Sequence, residues 1–216
     1  MRLLVIFDCR YYDYTLSING KAERHGFNYE DDYLTDVIGR KAEDFLDIYE
    51  RLMNEKGLVE INPFLMVLAT PAPHDPFTPA PQYANAFPDR IAPRTPAFNY
   101  VDGIDEQKHW FMRTPPTPLR PELLEKVDEV FRNRWRTLLS VDDMIDNVMS
   151  RLDQLGVLDD TFVLLTSDHG YHLGTFALTI DKRMPYETGK MFLFLLIYHA
   201  RLEQKILNCI LFNYAN

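Results

Sequence analysis

The 216-residue sequence predicts an α/β domain. Three observations carry that prediction. A segment with helical spacing followed by a short apolar run occurs twice, and each run ends in a polar segment. Thirteen of the 14 prolines lie between Pro63 and Pro121, which sets one long stretch apart from the regular elements. The composition, 46% hydrophobic and 25% charged, is that of a folded globular chain.

From Asp31 to Leu52, apolar residues recur at Leu34, Val37, Ile38, Phe45, Leu46, Tyr49 and Leu52, the spacing of a helix with one buried face. Phe64 to Thr70 (FLMVLAT) reads as a strand buried on both faces, as in a parallel sheet. The proline-rich stretch cannot sustain a helix or a central strand, so it predicts a long ordered loop, the kind that is usually functional in a compact domain. Pro121 to Leu155 is helical, with Val141, Met144, Ile145, Val148, Leu152 and Leu155 on one side. Ser140 with Asp143 three residues on makes a capping box if the helix restarts there. Gly156 ends the helix. Thr161 to Ser167 (TFVLLTS) is the second buried strand.

The charge balance narrows the function. With 32 acidic against 23 basic residues the net charge is −9, which argues against a nucleic-acid partner held by a broad basic face. Two cysteines, Cys9 and Cys209, exclude a disulfide framework and a cysteine-based zinc site. The longest apolar run, Met191 to Tyr198, is eight residues and too short to span a bilayer. Leu3 to Phe7 is too short for the core of a signal peptide.

In open parallel sheets, ligands sit beyond the carboxyl ends of the strands. The residues with chemistry to offer lie there. Asp168 and His169, with Gly170 behind them to let the chain turn, could both reach one cation, and a carboxylate suits a hard ion such as calcium or magnesium. A plain surface turn uses the same residue types. His172 shares their loop. His74 stands between prolines in Pro71–Pro76 (PAPHDP), where an imidazole could give a proton to a leaving oxygen. Lys182 and Arg183, near such a cation, would form a positive pocket for a tetrahedral oxyanion, although a solvated surface pair reads the same way. Together these residues suggest metal-assisted hydrolysis of an anionic ester. They lack a nucleophile, and no Gly-x-Ser-x-Gly elbow is present.

Several strings carry a resemblance. Residues 11–21 (YYDYTLSINGK), 69–74 (ATPAPH), 134–143 (RWRTLLSVDD), 166–172 (TSDHGYH) and 180–183 (IDKR) with Tyr186-Glu187 resemble the sulfatases in order and spacing. Among those, they are closest to the enzymes that act on the 6-sulfate of N-acetylglucosamine. The resemblance implies part of an alkaline-phosphatase-like sandwich, with a mostly parallel central sheet flanked by helices. It implies a calcium ion with Asp168 and His169 as two of its ligands. His74 would contact the sulfate and assist the leaving oxygen, Lys182 would bind the sulfate, and His172 would line the substrate pocket. The implied substrate is a sulfated glycosaminoglycan, heparan or keratan sulfate, and the implied compartment is the lysosome. An extracellular 6-O-endosulfatase shares the Asp-His-Gly-Tyr-His string and is the alternative enzyme. A non-catalytic remnant is the other.

The departures are specific. Sulfatases attack with a formylglycine made from the cysteine of Cys-x-Pro-Ser-Arg, and that motif is absent from this sequence, as is the family's first pair of metal-binding aspartates. The resemblance therefore assigns residues 11–187 to part of a catalytic domain, inactive by itself. Residues 1–10 are expected to be a doubtful start, and 188–216 a divergent tail that is not native.

Overall fold

A computed structural model describes residues 3–5, 10–56, 62–101, 118–184, 186–190, 192–198 and 208–212, with the backbone alone for 3–5, 192–198 and 208–212. Cys9 and most of the tail beyond residue 198 lie outside the described residues. The chain divides into two units. The first comprises Met1–Phe87 with Asn133–Leu158, and the second Pro88–Arg132 with Asp159–Asn216.

The first unit opens with an antiparallel sheet of β1 (Leu3–Val5), β2 (Thr15–Ile18) and β3 (Lys21–Arg24), with Ile18 opposite Lys21 across the turn. Asn19 and Gly20 make that turn with φ of 52° and 84°, as a two-residue hairpin requires. A single turn, α1 (Tyr29–Asp32), precedes α2 (Leu34–Lys56). The predicted helix from Asp31 is thus broken at Tyr33. Its extended backbone lets the Leu34 N–H donate to the Tyr11 carbonyl at 2.9 Å instead of continuing the helix.

α2 buries Leu34, Val37, Ile38 and Leu46 as the spacing predicts, and Ala42 beside them, whereas Leu52 is exposed near its end. It packs on α3 (Pro121–Gln154), a single helix with no restart. Ser140 is buried inside α3, so the alternative of a second N-terminus there does not apply. Proline at the first position costs no hydrogen bond. At the far end, Gly156 turns left-handed at φ 67°. Its N–H donates to the Asp153 carbonyl at 2.8 Å, and the Val157 N–H reaches the Leu152 carbonyl at 3.1 Å. Val157 and Leu152 then meet in one apolar cluster, which completes the stop that glycine announced.

Residues 62–70 form no helix and join no ladder among the described residues. Phe64, Met66 and Leu68 pack on the helices, while Leu65 and Val67 are 89% and 77% exposed. The strand expected to be buried on both faces is buried on one.

In the second unit, β4 (Phe162–Thr166) pairs antiparallel with β5 (Phe192–Tyr198), which pairs antiparallel with β6 (Asn208–Phe212). Phe162 and Leu164 are exposed, so β4 too carries apolar residues on a side that the described residues leave open. The mixture of helices and strands fits the α/β class. The pairing differs from expectation, since every ladder among the described residues is antiparallel. A near-continuous apolar run signals burial, and burial alone does not fix strand direction. The loop 88–101 is fastened to the first third of α3. Asp128 accepts from the Ala92 N–H at 2.9 Å and from Arg94 at 2.6 Å, and Arg94 lies 4.0 Å over the Phe98 ring.

Candidate active site

In the first unit, the loop after residue 70 folds tightly around His74. The His74 N–H donates to the Pro71 carbonyl at 2.7 Å, and the Phe77 N–H donates to the His74 carbonyl at 3.0 Å. The peptide bonds Ala72–Pro73 and Asp75–Pro76 on either side are cis. Two distant residues hold the loop. The Tyr11 hydroxyl donates to the His74 carbonyl at 3.0 Å, and Arg134 Nη1, on α3, donates to the Pro73 carbonyl at 2.7 Å. Tyr11 is itself buried and stacked on Tyr33 with centroids 5.8 Å apart. The imidazole of His74 stays exposed, with Nδ1 2.9 Å from the Asp75 carbonyl. A carbonyl can only accept, so Nδ1 carries the hydrogen and Nε2 is the atom left to exchange a proton. Tyr11 and Arg134 lie within strings that sequence analysis singled out, but nothing in the sequence shows that they reach a loop more than 60 residues away.

The second unit holds the other four candidates. Asp168 and His169 follow β4 directly, as the sequence predicts. His169 Nδ1 lies 2.8 Å from the Gly170 carbonyl, which assigns it the hydrogen. His169 Nε2 lies 3.1 Å from Asp168 Oδ2, an ion pair when the ring is protonated, with the Asp168 side chain 83% exposed. A carboxylate oxygen and an imidazole nitrogen this close could both reach one cation. Calcium takes six to eight oxygen ligands, and among the described residues no third histidine, cysteine or carboxylate joins the pair.

His172, expected to line a substrate pocket, is 1% exposed and packs among its own neighbours. Thr188 Oγ1 is 3.2 Å from its Nδ1, and the Tyr186 ring stands edge-on with centroids 6.1 Å apart. Gly189 fits because a Cβ there would sit 3.0 Å from His172 Nε2. Burial pushes the imidazole pKa down, and this outweighs the Met184 backbone and Asp181, which favour the charged ring.

The strand-end loop and the segment carrying Lys182 are joined by backbone bonds. The Gly170 N–H donates to the Gly189 carbonyl at 3.1 Å, and the His172 N–H donates to the Asp181 carbonyl at 2.9 Å. Asp181 has φ of 87°, rare for a residue with a Cβ. Its Oδ1 accepts from the Lys182 N–H at 2.8 Å and its Oδ2 from Arg183 Nε at 2.6 Å. Burial works against ionisation of this carboxyl, but the Lys182 N–H and the Arg183 guanidinium overcome it and hold the pKa below the usual range.

A family profile described as Sulfatase matches residues 8–204. The chain belongs to the sulfatase family. Among sulfatases, N-acetylglucosamine-6-sulfatase of Homo sapiens is 48% identical over 178 residues, which cover 82% of this chain and 30% of that protein. The protein of the same name from Capra hircus matches equally well, with 48% identity over 178 residues. The extracellular sulfatase SULF-1 homolog of Drosophila melanogaster is 34% identical over 97% of this chain and 18% of its own length. A solved structure of BT4656 in complex with its substrate D-glucosamine-2-N,6-O-disulfate superposes with a TM-score of 0.63 at 22% identity, covering 87% of this chain and 46% of that one. At that identity it establishes the shared fold. The chain spans about a third of the length of its N-acetylglucosamine-6-sulfatase relatives, 30%. Within this sulfatase chain, His74 belongs to one unit and Asp168, His169, His172 and Lys182 to the other.

Proposed function

We propose that this chain is part of a sulfuric ester hydrolase that removes the 6-O-sulfate of N-acetylglucosamine from glycosaminoglycans, heparan or keratan sulfate, in the lysosome. The observation that carries the reading is the placement of Asp168 and His169 at a strand end with side chains 3.1 Å apart, in a loop joined through the His172 N–H and Asp181 carbonyl to the segment that contains Lys182. The 48% identity to N-acetylglucosamine-6-sulfatase over 82% of the chain supports the choice of substrate.

Asp168 and His169 would hold calcium, which when bound supplies positive charge beside the sulfate oxygens. Lys182 places its ammonium against those oxygens and binds the anion before and during cleavage. His74 gives the proton on Nε2 to the sugar oxygen as the sulfur–oxygen bond breaks, while its Nδ1–H stays on the Asp75 carbonyl and fixes the ring. The formylglycine nucleophile of the family has no counterpart in this sequence, so the 216 residues alone are expected to bind a sulfated sugar and release no sulfate.

The test is a titration of the chain with N-acetylglucosamine 6-sulfate beside unsulfated N-acetylglucosamine, together with a sulfate-release assay. Preferential binding of the sulfated sugar, lost in Lys182→Ala, is expected, with no release. Equal binding of both sugars refutes the reading. The 97% coverage by the SULF-1 homolog favours the endosulfatase as a second reading. Tighter binding of a long heparan chain than of the monosaccharide would favour it.

A further inference from the structure

Between residues 174 and 181 the backbone takes positive φ at Gly174, Phe176, Ala177 and Asp181. Such backbone costs free energy and persists only where its surroundings over-determine it. At Asp181 the restraints are explicit. Its carbonyl is held by the His172 N–H, its Oδ1 by the Lys182 N–H and its Oδ2 by Arg183. His172 is in turn a buried anchor, walled by Gly189 and bonded to Thr188. The backbone of Lys182 therefore leaves a residue whose conformation is fixed from three sides.

We propose that Asp181 is the positioning residue for Lys182, and that His172 is the buried post to which it is fastened. Neither touches the substrate. Asp181 holds a left-handed turn, and that turn sets the direction in which the lysine departs toward the anion. The proposal rests on the reading of Lys182 as the sulfate-binding residue.

Two substitutions separate geometry from charge. Asn tolerates positive φ and keeps the side-chain oxygen that accepts from the Lys182 N–H, so Asp181→Asn should preserve the turn. Asp181→Ala loses the acceptor and disfavours the turn. In the 216-residue chain, D181A is expected to bind N-acetylglucosamine 6-sulfate about tenfold more weakly and to exchange the Lys182 amide about tenfold faster. D181N is expected to stay within about threefold of the parent on both measures. Comparable losses in D181N and D181A overturn the proposal, because charge and not geometry would then be acting. Unchanged binding in D181A with a faster Lys182 amide also overturns it. If the parent chain binds no sulfated sugar, the functional reading falls instead. Amide exchange still judges the clasp in that case: equal Lys182 exchange in the parent and D181A refutes it, and slower exchange in the parent upholds it.

Discussion

Gly174 is the position where one added methyl group should do most harm. Its φ is 85°, and the Phe98 ring occupies the space where a Cβ would go. Its N–H donates to the Leu178 carbonyl and its carbonyl accepts from the Asn99 N–H, both at 2.7 Å, so it joins the 97–101 loop to the segment leading to Asp181. In Gly174→Ala the left-handed backbone costs about 1–2 kcal/mol. Displacing the ring adds about 1–3 kcal/mol. The stiffer unfolded chain returns about 0.4–1 kcal/mol. The net loss is about 3 kcal/mol, equivalent to roughly 150-fold faster exchange of the Asn99, 174 and Phe176 amides. Hydrogen exchange read residue by residue measures it. Phe98→Ala provides the internal control. With the ring gone, G174A should cost only the backbone part, about 1 kcal/mol, so the double-mutant cycle should show coupling of about 2 kcal/mol. Zero coupling, or less than about threefold acceleration in the single mutant, would refute the steric argument.

Arg134→Met removes the cation holding the Pro73 carbonyl, and a hydrogen bond from a charged donor is worth about 1.5–3 kcal/mol, so the His74 and Phe77 amides should lose roughly tenfold or more of their protection from exchange. Leu46→Ala, at a fully buried position between α2 and α3, should lower stability in urea by about 2–5 kcal/mol. The Asp143 carboxylate, accepting from the Tyr83 hydroxyl at 2.5 Å, raises that phenol to about 12. Asp143→Asn should return it toward 10, read by NMR of ring-labelled tyrosine. His172 is lowered by burial, so the unfolded chain takes up its proton first as pH falls. The stabilisation from burying it neutral is complete above the unfolded value near 6.5 and is lost as pH falls from there through the folded value. His172→Asn should flatten that part of the stability–pH curve.

What could be read from the sequence is local or periodic. Met144, Val148 and Leu152 repeat at helical spacing and are buried on one side of α3, and Gly156 stops that helix with the geometry glycine permits. Asp168 and His169 are adjacent, so their strand-end placement needed no tertiary knowledge. Three things were out of reach. Burial of Leu65 and Val67 depends on neighbours that a strand's own residues do not specify. The hold of Tyr11 and Arg134 on the His74 loop spans 63 and 61 residues. The left-handed turns at Phe176 and Ala177 fall on residues that usually avoid them. The burial of His172 was also out of reach, because a histidine in a strand-end loop looks the same in sequence whether its ring points out or in.

The segment 62–70 has a consequence for the life of the chain in solution. Seven consecutive residues, Phe64 to Thr70, carry no charge and no proline, and exposed and part-buried side chains alternate along them. Such a strip is a template on which a second strand can dock, and uncharged runs of this length are the segments from which fibres grow. The net charge of −9 opposes self-association through long-range repulsion, which salt screens. Solubility of the isolated chain should therefore fall as ionic strength rises, and a single lysine in place of Val67 should restore it without touching the packed face.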